Sequence, residues 1–205
     1  MEKQLADRIT AGEMAPGEVF SAPALAVQFG VSATPVREAM LNLAKRGLVE
    51  IVRNKGFRVT EMSRAELEAI VDVRQLLEVP AVGRLAGKLT APQARKLRRQ
   101  GQTIVTAAEK GQLGPYLEAD LEFHLGLLDL VGNPRLVELV RDLRAQTRLT
   151  GLATMLGSRT LEISAQEHPR LVDLLEAGDR QGAERLMHQH IGHVLGWWSG
   201  VPEGE

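Results

Sequence analysis

The stretch from Phe29 to Glu50, FGVSATPVREAMLNLAKRGLVE, constrains the fold more than any other part of the chain. It opens on a tight turn at Gly30-Val31-Ser32. Pro35 follows where a helix's first turn tolerates it, because the missing N–H needs no intrahelical partner there. Ser32 or Thr34 could supply the N-cap oxygen. Val36, Ala39, Met40, Leu43 and Ala44 recur at the spacing of one buried helical face, and Arg37, Asn42, Lys45 and Arg46 fall largely outside it. Gly47 stops the helix. A buried stripe with a polar, basic outer face, entered through a glycine turn, is the pattern of a helix-turn-helix whose second helix enters a DNA major groove.

The neighbouring segments extend that pattern. Residues 2–12 read as a short amphipathic helix ended by Gly12, Ala15-Pro16-Gly17 as a turn, and Ser21 to Phe29 as a second helix capped by Ser21. Leu48–Val52 and Phe57–Thr60 read as two strands rich in β-branched residues, joined by the turn Arg53-Asn54-Lys55-Gly56, with Gly56 free to take a positive φ. Three helices and a basic-tipped hairpin make a winged helix-turn-helix over residues 1–61. The competing reading, a small helical cap on a larger enzyme, does not explain why turn, helix and basic hairpin occur together in this order.

Glu61-Met62-Ser63 leads into a second part, residues 62–205, where no strand is expected. Ser63 and Glu66 form a capping-box pattern. Six helical segments are expected, at about 64–88, 91–111, 115–131, 134–156, 164–177 and 179–199, separated by Thr90-Ala91-Pro92, Gly114-Pro115, Gly132-Asn133-Pro134, Gly157-Ser158 and Gly178-Asp179. Pro80 should kink the first of them. The fold class is thus mostly α: a winged helix-turn-helix with a small β-hairpin wing, followed by an all-α helical bundle.

Composition agrees. With 44% hydrophobic residues and only 3% aromatic, Leu, Val and Ala must build the core of a 205-residue chain, which suits packed helices. No apolar run is long enough to span a membrane, and the charged N-terminus does not read as a signal peptide. The absence of Cys excludes disulfides and thiolate metal sites, so a cytoplasmic location is expected. Residues 1–60 carry eight Lys/Arg against six Asp/Glu (+2), and residues 61–205 carry seventeen against twenty (−3). That mild asymmetry permits nucleic-acid binding at the front.

Asp120 and His124 lie four apart on one face of a helix that is apolar almost all round. A buried carboxylate and imidazole need partners. His168 follows a Ser164…Glu167 capping-box pattern, and His190 lies in the last helix, where His193 could compete with it while His188 points away. One Asp and three His form a sensible ligand set for a divalent cation such as zinc, nickel or manganese. By spacing alone, the same residues also fit satisfied core side chains.

The segment PGEVFSAPALAVQFGVSATPVREAMLNLAKRGLVE, with RNKGFRV after it, resembles the winged helix of GntR-family transcriptional regulators. Asp120-x3-His124 with Gly132-Asn133, Glu167-His168, Gly178-Asp179 and Ala183-x3-Met187-x2-His190 resemble the FadR-type C-terminal ligand-binding (FCD) domain, in its shorter, VanR-like six-helix form. The resemblance implies a homodimeric bacterial regulator, usually a repressor, that binds a pseudo-palindromic DNA operator and a small carboxylate metabolite. It implies that Asp120, His124, His168 and His190 hold a divalent metal, zinc first among the candidates. It also implies that Arg74 faces the effector pocket, a role a bidentate guanidinium suits. The competing reading of Arg74 is a surface ion pair with Glu78 one turn on. Ala33 and Pro23 stand where relatives commonly carry DNA-contacting arginines, so Ser32, Thr34, Arg37, Asn54, Lys55 and Gly56 remain as DNA-contact candidates. Pro169, directly after His168, is unusual because a residue before proline tends to leave the α region.

Two functions are weighed on these grounds, beside a blander third, a DNA-binding protein whose helical domain only dimerises. The first is a metabolite-responsive transcription factor, which is not an enzyme. The alternative is a metal-dependent hydrolase using the Asp/His cluster, but it leaves the first 60 residues without a purpose, and its one candidate base, Glu167, is already explained as a capping residue.

Overall fold

A computed structural model describes residues 1–147 and 158–196. The chain forms two compact units: residues 1–63 together with a short stretch from Arg144, and the bundle from Arg64 onward.

The first unit runs α1 (Glu2–Thr10), β1 (Val19–Phe20), α2 (Ala22–Phe29), α3 (Ala33–Lys45), β2 (Val49–Val52) and β3 (Gly56–Val59). Each terminus has a local cause. Ser21 caps α2 by accepting from Ala24 N at 3.2 Å, and Gly30 ends it in the left-handed conformation at φ 64°. At the end of α3 Gly47 takes φ 73°, its N–H bonds Ala44 O and that of Leu48 bonds Leu43 O, the Schellman arrangement. Leu5, Leu25, Val36, Met40, Leu43, Leu48 and Phe57 close into one core. Each such side chain contributes about 1.5–3 kcal/mol by leaving water.

Helix α3 starts at Ala33, so Pro35 falls in its first turn as expected. Two details differ from the sequence reading. Ser32 is the N-cap of α3 by backbone, yet its side chain makes no capping bond. And the wing is three-stranded, because Val19–Phe20 pairs antiparallel with β3 to give the order β1-β3-β2. Two residues are too few to show the alternation that marks a strand.

The second unit contains α4 (Arg64–Gly83), α5 (Ala91–Glu109), α6 (Leu113–Asp129), α7 (Pro134–Thr147, its last residues counted with the first unit), α8 (Arg159–Glu176) and α9 (Arg180–Gly192). Among its described residues there is no strand. The expected ends of two helices, at 148–156 and 197–199, lie outside the described residues. Thr90 and Gln93 cap α5 reciprocally, and Asp179 caps α9 by accepting from Gly182 N at 2.8 Å. Helix α8 begins at Arg159, five residues before its expected start. Ser158 is the cap, accepting from Leu161 N at 3.2 Å. Ser164 and Glu167 are therefore inside the helix, and the expected capping box there does not exist. Helix α5 packs on α6 and α8, and α9 packs on α4 and α8.

Candidate metal centre and nucleic-acid interface

Helix α6 carries Asp120 and His124 on one face, α8 carries His168 and α9 carries His190. All four are buried, at 1–5% exposure. One donor atom from each lies within 4.8 Å of all the others. His124 Nε2 is 3.1 Å from His168 Nε2 and 3.2 Å from His190 Nε2. Asp120 Oδ1 is 3.2 Å from His168 Nε2 and 3.5 Å from His124 Nε2. Phe123 supports two of the rings edge-on, with centroids 5.4 Å from His124 and 5.0 Å from His168.

The outer hydrogen bonds set which nitrogens face the centre. His190 Nδ1 lies 2.7 Å from Glu167 Oε2, and His193 Nε2 lies 3.0 Å from Glu167 Oε1. Burial pushes the Glu167 carboxyl up, but the hydrogen bonds from His190 and His193 outweigh it and bring it down to about 2. Burial lowers His190 to about 4, further than its bond to Glu167 raises it. At neutral pH an ionised Glu167 thus accepts the Nδ1–H of a neutral His190. His168 Nδ1 lies 3.0 Å from Ala165 O, which can only accept, so Nδ1 carries the hydrogen there too. A neutral imidazole that donates from Nδ1 presents a lone pair at Nε2.

Two imidazole lone pairs and a carboxylate oxygen therefore converge on one buried point, with His124 Nε2 among them. A single hydrogen on His124 could serve only one neighbour, whereas a cation satisfies all four donors. Metal–nitrogen distances of about 2.0–2.1 Å imply ligand-to-ligand edges of about 3.0–3.4 Å; four of the spacings here are 3.1–3.5 Å, and the whole set lies within 4.8 Å. The residues fit a divalent cation.

His193 is one step outside the centre, with its ring 6.2 Å from that of His190, so it does not compete as a ligand. His188 is exposed, as expected. Glu167 and His193 are the residues the sequence reading missed or misassigned. The signal for His193 was its three-residue spacing from His190 on one helix. Arg74 pairs with Glu78 at 2.7 Å as the competing reading required, but at 2% and 0% exposure the pair is buried and not on the surface. A lost partner in such a pair costs about 3–5 kcal/mol.

On the first unit, Ser32, Thr34 and Arg37 are exposed along the start of α3, whereas Asn42 and Arg46 are engaged by Glu2 of α1. At the wing tip Lys55 is exposed, and Asn54 takes φ 60°, which asparagine tolerates better than most residues. Gly56, at φ 128°, sits so close to β1 that an added Cβ would lie 2.2 Å from Phe20 O. No described helix is long and apolar enough to cross a membrane.

Residues 1–59 match the family model "Bacterial regulatory proteins, gntR family", and residues 69–193 match that of the FCD domain. The chain is 33% identical to the "Probable D-xylose utilization operon transcriptional repressor" of Paenarthrobacter nicotinovorans, over 83% of this chain and 75% of that protein. It is 28% identical to the HTH-type transcriptional repressor RspR of Escherichia coli K12, over 88% of this chain and 79% of that protein. Among solved structures, E. coli McbR/YncC superposes with a TM-score of 0.81 at 25% identity, covering 94% of this chain and 92% of that one.

Proposed function

This chain belongs to the gntR family of bacterial regulatory proteins, with an FCD domain, and is a DNA-binding transcriptional regulator; from that premise we propose that it is a repressor whose DNA binding responds to a small carboxylate held at a metal in the helical unit. The convergence of Asp120 Oδ1 with the Nε2 atoms of His124, His168 and His190 carries the metal part of the reading. Zinc, nickel and manganese all suit this donor set. A divalent ion held there neutralises Asp120 and leaves coordination positions for the oxygens of an anionic ligand. Arg74 is the proposed second grip on the effector carboxylate, shared with Glu78.

On the DNA side the reading uses Ser32, Thr34 and Arg37 in the major groove, with Asn54, Lys55 and the backbone of Gly56 at the wing. A homodimer in the cytoplasm would set two such units on a pseudo-palindromic operator, about one DNA turn apart. Effector binding shifts the balance between DNA-competent and incompetent arrangements only to the extent that the effector prefers one of them.

The test is metal analysis of untagged protein joined to a thermal-shift screen of small carboxylic acids. About one divalent ion per chain is expected, together with an acid that raises the melting temperature only in the absence of chelator. Replacing His124 and His168 together should abolish both. Metal content that survives the double change would remove the site from consideration.

A further inference from the structure

A proline in the middle of α8 sits directly after one of the four donors. Pro169 has no N–H, so it cannot make the bond that a residue at 169 ordinarily gives to the carbonyl of Ala165, four residues back. That carbonyl is the one His168 Nδ1 uses, at 3.0 Å. The missing backbone donor and the side-chain hydrogen bond meet at the same oxygen. Helix α5 adapts to the same spot. It presents Gly101 there, where an added Cβ would be 3.2 Å from Pro169 N and 3.4 Å from Pro169 Cδ.

We propose that Pro169 is a positioning residue: by leaving Ala165 O without its helical N–H, it reserves that carbonyl for His168 Nδ1–H and so commits His168 Nε2 to the buried centre. The inference rests on the metal reading for its consequence, but the tautomer it assigns can be measured without any metal. A carbonyl has two lone pairs. An N–H restored at 169 could thus share the oxygen with the imidazole, but two donors on one acceptor each bond it less well, which would weaken the grip on the imidazole and leave His168 with a mixture of tautomers. Outer hydrogen bonds of this kind change metal affinity by about 10–100-fold. His190, held by Glu167 and not by a backbone carbonyl, provides an internal control.

The experiment compares the full-length protein with its Pro169→Ala variant in two ways. Long-range ¹H–¹⁵N spectra of the histidine side chains, recorded metal-free, read the tautomers. Zinc competition against a chromophoric chelator reads affinity. In the native protein His168 should be protonated at Nδ1 alone. In Pro169→Ala the His168 signals should move toward a mixture, those of His190 should stay put, and zinc affinity should fall about tenfold. A proline that matters only for packing would change stability without moving the His168 tautomer. A folded variant with unchanged His168 signals and native zinc affinity overturns the proposal. If the variant does not fold, the native spectrum still decides, since protonation of His168 at Nε2 overturns it outright. A native protein that takes up no zinc, nickel or manganese, yet shows the expected tautomer change, would sink the metal reading and leave the role of Pro169 standing.

Discussion

Glu167 places one carboxylate between two imidazoles, Oε2 toward His190 and Oε1 toward His193. Glutamine has the same shape but only one acceptor oxygen, so its amide group would present N–H to one of two N–H donors. Glu167→Gln should lower zinc affinity about 10–100-fold while the protein stays folded, and the exposed Glu162→Gln on the same helix should bind as the native protein does. Equal zinc affinity in Glu167→Gln would show that the carboxylate does not tune the centre. At this scale the sequence was partly legible. The four donors stood out because histidine is scarce and Asp120 and His124 share a helical face. Glu167 did not, because Ser-x-x-Glu reads the same at a helix start and in a helix interior, and only the true start at Arg159 separates the two. The spacing of Arg74 and Glu78 showed that they pair; their burial depends on which face α4 turns inward, which needs the packed bundle.

Among the elements, the wing shows how a short strand can govern its neighbours. Because β1 lies along β3, with Phe20 opposite Phe57, the residue at 56 must turn the chain within reach of Phe20 O. Only glycine combines that φ with that closeness. Gly56→Ala should destabilise the first unit by about 1–3 kcal/mol, the usual cost of a strained backbone, read from chemical denaturation followed by far-UV circular dichroism. A loss within the scatter of ordinary surface changes, about 0.5 kcal/mol, would mean that the strand pair relaxes freely. The helices were largely readable from their caps and glycines. Strand β1 was not, and neither was the start of α8, because its cap Ser158 follows Gly157 in a pair that reads as a separator.

Across the whole molecule, charge and burial divide the labour. The slightly basic first unit keeps Thr34, Arg37 and Lys55 exposed, while the slightly acidic second unit buries Asp120, His124, His168 and His190. Arg37→Ala should therefore weaken operator binding by about 1–3 kcal/mol without changing metal content or melting temperature. Fluorescence anisotropy on operator DNA, run at two salt concentrations, measures the first; unchanged binding would exclude Arg37 from the groove. The metal donors come from helices distant along the chain, with 44 residues from His124 to His168 and 66 from His124 to His190. An ion joining them acts as a clasp on three helices, and at a free concentration one hundred times its dissociation constant it adds about 2.7 kcal/mol to the folded state. On the proposed metal reading, withdrawing that ion would expose more of the chain to proteases, so a cell starved of the metal would hold fewer copies of the protein.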